Sequence, residues 1–180
     1  MNTQPVCGGA PEWLRELAAA RTRYEEMFGW PVAIKVEQQV LVFPVGGVLD
    51  AVTMPAALGD KVLSELQLMM RAGPVIVTSD NSSWMFFTQP AIGPARDVWA
   101  ELRHLQVHLV PKGTHVVIPT QIDSDGGLRW IRRPQPHRPS PLGSVIIDIT
   151  CRVATGLISD EKAVSTTPGI TQERQVSLAS

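Results

Sequence analysis

The sequence predicts an α+β domain built on a single mixed β-sheet with flanking helices. Two amphipathic stripes at three- and four-residue steps, one starting at Pro11 and one at Pro55, supply the main helices. Between and after them fall short apolar runs of strand length, rich in Val, Ile, Phe and Trp. Clusters of Gly, Pro, Asn and Asp punctuate these runs.

The 180 residues suffice for one domain that buries roughly two-thirds of its unfolded surface. Hydrophobic residues make up 44% of the chain, a globular proportion, and only 18% are charged. Sixteen basic and seventeen acidic residues nearly cancel, which argues against nucleic-acid binding through bulk charge and leaves a local basic face as the route to it. Cys7 and Cys151 are isolated, so neither a disulfide framework nor a zinc knuckle is indicated. No apolar segment reaches membrane-spanning length and no basic start precedes an apolar run, so the expected location is the cytoplasm.

Residues 1–10 are polar and Gly-rich and read as a flexible N-terminus. The domain itself is expected over 11–150. Its first helix carries Trp13, Leu17, Ala20, Tyr24 and Met27 on one face and ends at Gly29, where a left-handed residue is wanted. Residues 30–36 read as a first strand, and Gln38-Gln39 turns into two apolar runs separated by Gly46-Gly47. Pro55 opens the second helix, which Gly73-Pro74 stops, with Leu58, Val62, Leu66 and Met69 on its stripe and Leu63 and Met70 beside it. Val75-Ile76-Val77-Thr78 and Trp84-Met85-Phe86-Phe87 form a hairpin across a polar turn. A third helix from Pro94 carries Val98, Leu102 and Leu105. Strands are expected at 107–110, 115–119 and 128–131, the first two joined by the turn at Pro111-Lys112-Gly113. The Pro-rich stretch 132–141 serves as a linker. Residues 144–149 fit either a last strand or a closing helix, and their β-branched side chains favour the strand. The tail, 151–180, turns Ser/Thr-rich after Gly156 and is expected to be disordered.

Several constellations have structural explanations. Gly46-Gly47 lacks the spacing of a phosphate loop and reads as a hairpin turn between two paired strands. His104 and His108, four apart, are not followed by the Glu of a zinc helix, and the segment turns strand-like at Val107. Ser82 and Ser83 lack the glycines of a nucleophile elbow. The Met and aromatic content at 68–70 and 84–87 is expected to pack in the core. Arg129, Trp130, Arg132 and Arg133, with His137 and Arg138, form the one local basic cluster, where arginines would grip phosphates and Trp130 would stack a base. A solvated strand edge would use the same residues.

Four segments together resemble the N-terminal domain of the bifunctional DNA primase/polymerases, an archaeo-eukaryotic primase-type domain common in plasmids, phages and actinobacteria. They are the helix with Tyr24 running into Gly29-Trp30-Pro31-Val32; Gly47-Val48-Leu49-Asp50-Ala51-Val52-Thr53-Met54-Pro55 before a helix; Gly73-Pro74-Val75 with Trp84-Met85-Phe86-Phe87; and Val116-Val117-Ile118-Pro119-Thr120 with Gly126-Gly127-Leu128-Arg129-Trp130. The resemblance covers roughly residues 12 to 133 and implies a primase/polymerase-like fold.

In that family two alternating acids, a His and a third acid hold Mg²⁺ or Mn²⁺ for nucleotidyl transfer. Here those positions fall on Thr53, Pro55, Trp84 and His108, a set that cannot hold two hard cations. The resemblance therefore implies a degenerate member without catalytic residues, metal or cofactor, which binds DNA or a protein partner in a regulatory role. One alternative is an active polymerase that uses Asp50, Asp80 and Asp123, with Asp50 as the nearest substitute. Another is an actinobacterial accessory protein that meets a protein partner through Trp84, Trp99 and the Pro-rich arm. Oligomeric state is not specified by the sequence.

Overall fold

A computed structural model describes residues 10–78, 80–90, 96–122 and 127–164. The α+β class holds, with four helices among the described residues, but the single mixed sheet is replaced by two antiparallel ones. In order the elements are α1 (Glu12–Phe28), β1 (Ala33–Lys35), β2 (Val40–Pro44), β3 (Asp50–Pro55), α2 (Ala56–Leu68), β4 (Val75–Val77) and β5 (Ser83–Thr88). They continue with α3 (Arg96–His104), β6 (His108–Leu109), β7 (His115–Ile118), β8 (Arg129–Arg132) and α4 (Gly143–Val164).

The small sheet runs β1-β2-β7 and the large one β6-β3-β5-β4-β8. The chain changes sheet three times, between β2 and β3, between β6 and β7 and between β7 and β8. Gly46-Gly47 and Pro111-Lys112-Gly113 are thus crossings between sheets, not hairpins joining paired strands. The first two crossings lie side by side: the Gly113 N–H donates to the Val45 carbonyl at 2.8 Å and the Val45 N–H to Thr114 at 2.9 Å. Gly46, at φ +99°, is needed there because a Cβ would strike Lys112.

Period-two alternation along β3 and β5 sends side chains to opposite faces of the large sheet. Ala51 and Phe87, with Ile76 and Trp130, face the small sheet and α1 across one core. Val52, Met54, Val75 and Phe86 face α2, α3 and α4 across a second. In the first core Trp30 touches the rings of Tyr24, Phe28, Phe43, Phe87 and Trp130, with centroids 5.4–6.0 Å away. The Tyr24 hydroxyl donates to the Pro119 carbonyl at 2.7 Å and accepts from Trp130 Nε1 at 2.9 Å.

Helix α1 ends as expected, with Gly29 left-handed and donating to Glu25. Residues 144–149 form the start of α4, not a strand. Ile146, Ile149 and Thr150 are buried at helical spacing, with Val153 and Ala154 continuing the stripe, and that periodicity outweighs β-branched propensity. Thr150 and Thr155 each donate their hydroxyl four residues back, to Ile146 and Cys151. The expected tail boundary falls inside this helix, which continues to Val164; residues 165–180 lie outside the described residues. The Pro-rich stretch is not a loose linker. Gln89 donates its backbone N–H to Pro141 and its side-chain amide to Ser140, both at 2.8 Å, and Gly73 sits against Pro141.

Burial pushes the Tyr24 phenol up from 10 to about 12, opposed in part by the bond from Trp130 and by the Arg23 charge. The raised value means the fold favours the neutral phenol. That stabilisation is complete below pH 10 and is lost as pH rises through 12. Equilibrium unfolding should weaken over this window, and Tyr24→Phe should remove the alkaline sensitivity. The same variant should destabilise the protein at neutral pH by about 1–3 kcal/mol, because Trp130 Nε1 loses its buried acceptor.

Candidate functional site

The face of the large sheet that meets the small sheet is uncovered at one end. There β3, β5 and β6 leave a cleft of about 350 Å³ lined by Thr53, Pro55, Ser82, Ser83, Gln106 and His108, with Met54 at its wall. Strand register builds it: Thr53 lies opposite His108 and Pro55 opposite Ser83. The Thr53 hydroxyl donates to the His108 carbonyl at 3.3 Å. Three of the four positions singled out by the resemblance, Thr53, Pro55 and His108, therefore share this cleft.

Trp84 does not. It lies on the opposite face of β5, against Phe86 and over Gly59 of α2, whose missing side chain leaves room for the indole. Ser83 takes its place in the cleft. Alternation along β5 would have found part of this, since Ser83 and Trp84 differ in parity; that Ser83 faces Pro55 follows from the long-range β3–β5 pairing. Gln106 carries no sequence signal; it enters through the left-handed turn after α3, at φ 57°.

The fallback acids are dispersed. Asp50, 3% exposed, heads β3 opposite Thr88 and shares parity with Val52 and Met54, so it points away from the cleft face. Asp80 lies beside the cleft in the β4–β5 turn, but its own turn engages it. The Thr78 hydroxyl donates to Oδ1 at 2.6 Å, the Ser82 hydroxyl to Oδ2 at 2.7 Å, and the Ser82 N–H to Oδ1 at 3.1 Å. Asp123 and the side chain of Trp99 lie outside the described residues. His104 ends α3 while His108 opens β6, so their spacing does not share one helix face. Among the described residues no three His, Cys, Asp or Glu side chains gather as a metal site. A threonine, two serines, a glutamine and one histidine do not fit a pair of hard cations. Cys151 packs against the second core, its thiol pushed up by burial first and then by Glu101 and Asp148.

The basic cluster divides in two. Trp130 is buried among Tyr24, Trp30 and Phe87, so the expectation that it stacks a base is corrected: its ring is a core residue. Arg129 reaches the β4–β5 turn, donating to Asn81 Oδ1 at 2.8 Å. Arg132 and Arg133, with Arg138 from the Pro-rich arm, line one indentation against Ala72, Gly73 and Pro74. Arg132 Nε donates to the Ala72 carbonyl at 3.1 Å and Arg138 Nη2 to the Met70 carbonyl at 2.8 Å, which holds both guanidinium groups at this edge. Compared with known protein families, curated proteins and solved structures, the chain matches none.

Hydrogen bonds from Thr78 and then Ser82 hold the Asp80 carboxyl at about 2, below its ordinary 3.8. Its support of the turn is thus complete above pH 3.8 and lost as pH falls through 2. A ¹³C carboxyl titration should give Asp80 a midpoint near 2, moving up in Thr78→Val. A midpoint near 3.8 in the native protein would show that the turn is open.

Proposed function

We propose that this chain is a non-catalytic, primase/polymerase-like binding domain that contacts nucleic acid through its arginine edge. The observation that carries this reading is the convergence of Arg132, Arg133 and Arg138 on one indentation of a chain whose net charge is only −1. Bidentate guanidinium groups suit phosphate oxygens. With Trp130 in the core, the cluster presents no Trp, Tyr or Phe ring to a base. Binding then runs through the backbone, tolerates any sequence and falls steeply with salt. The cleft lining, which holds no carboxylate among the described residues, supports the non-catalytic part of the reading, since triphosphate chemistry with two metals needs clustered carboxylates.

Fluorescence anisotropy with labelled single-stranded DNA tests the binding. Arg132→Ala/Arg133→Ala should weaken it and lower the slope of log K against log salt by about 1.4, two phosphate contacts at roughly 0.7 each. Equal affinity of the double variant and the native protein would remove the arginine edge from the account.

Primer extension tests the chemistry. With Mg²⁺ or Mn²⁺ the native protein should make no product. Synthesis that vanishes in Asp50→Ala would establish an active nucleotidyltransferase instead.

A further inference from the structure

The end of α2 presents what the sequence pattern expects to be core. Leu68, Met69 and Met70 are 79%, 45% and 80% exposed, a contiguous apolar knuckle. The helix stops at Leu68, short of Gly73-Pro74, and Met70 takes φ +56°. Its N–H donates to Gln67 and the next one, of Arg71, to Leu66, closing the helix with a left-handed residue. Gly normally fills that position, because a side chain there strains the backbone. A large, exposed methionine in a strained cap gains the fold nothing by its own packing.

Cationic groups surround the knuckle. Arg138 Nη2 binds the Met70 carbonyl at 2.8 Å, Arg152 Nη2 of α4 lies 3.7 Å from Met69 Sδ, and Arg71 follows in the chain. Beside it α2 and α4 leave a groove of about 230 Å³ lined by Glu65, Ile149, Arg152 and Val153. Glu65 is the acidic group lining this groove, so positive charge concentrates at the knuckle end.

We propose that this knuckle and groove dock an acidic amphipathic helix of a partner protein. Apolar anchors of that helix insert among Leu68, Met69 and Met70, whose unbranched thioethers adapt to varied shapes. Its carboxylates meet Arg71, Arg138 and Arg152. Charge complementarity selects this occupant: an apolar centre rimmed by arginines fits a ligand that carries both leucines and carboxylates. The surface shares Arg138 with the arginine edge but is centred on the end of α2, and it stands whether or not that edge binds DNA.

The test uses anisotropy of a fluorescein-labelled peptide with leucines at i, i+3, i+4 and i+7 and glutamates elsewhere. Its control is the same peptide with serine for leucine. The native protein should bind the first peptide and not the second. Met70→Gly relieves the left-handed strain, so its melting midpoint should stay or rise while peptide affinity falls about tenfold or more, as removal of one buried anchor requires. Leu68→Ser, an exposed change, should weaken binding comparably without unfolding the protein. Failure of the native protein to bind, or equal binding by both variants, overturns the proposal. So does loss in both variants of binding to equimolar phosphatidylcholine–phosphatidylserine vesicles or to DNA, with the peptide unaffected, which would assign the knuckle to a membrane or a nucleic acid.

Discussion

The Tyr24 hydroxyl is the constraint on which the two-sheet arrangement depends. Buried in an aromatic core, it must both donate and accept, and its partners lie 95 and 106 residues along the chain. Donating to Pro119 fixes the end of β7, and hence the small sheet, against α1. Accepting from Trp130 fixes β8 at the edge of the large sheet. Trp30 fills the space between them and leaves no room for the sheets to slide. The two crossings at Gly46 and Gly113 then become neighbours, because both must bridge the same separation.

That constraint also decides what the surface offers. An indole whose N–H is held by Tyr24 in the core is not free to stack a nucleobase, so β8 presents only its arginines. Those arginines suit two physical purposes at once. They sit on an edge strand followed by prolines, which discourages pairing with another sheet, and they concentrate charge that an anionic backbone needs. The small sheet, pinned over Phe87 and Trp130, stops short of Thr53 and Ser83. The cleft is therefore a consequence of where the aromatic core ends.

Local pattern carried much of the fold. The stripes after Pro11 and Pro55, the Gly29 stop and the Val75-to-Phe87 hairpin were legible, because each depends on neighbours within a few residues. What was not legible depended on distant partners. Whether β2 pairs β3 cannot be read from their apolar runs, since either pairing buries the same side chains. Residues 144–149 carry strand propensity, yet α2 offers a helical groove that rewards the burial of Ile146, Ile149 and Thr150 together. Leu68, Met69 and Met70 look like core by type, but the helix ends one turn early and turns them outward. At the site, alternation alone places Thr53 and Pro55 on one face and separates them from Asp50 and Trp84. The convergence of Arg138 with Arg132 is different in kind, because it requires the Pro-rich arm to fold back along Gln89.

The surfaces at the two ends of this argument are not independent. Arg138 lines the indentation beside Arg132 and Arg133, and the same guanidinium binds the carbonyl of Met70. An anion drawn to one side of Arg138 changes the field felt on the other, over a distance well inside the Debye length at physiological salt. Nucleic acid at the proposed edge and an acidic helix at the proposed knuckle would compete for this shared cation, and linkage would make that penalty equal in both directions. The cleft stands apart from this coupling. It opens on the face of the large sheet opposite α2, with the sheet itself between it and the knuckle.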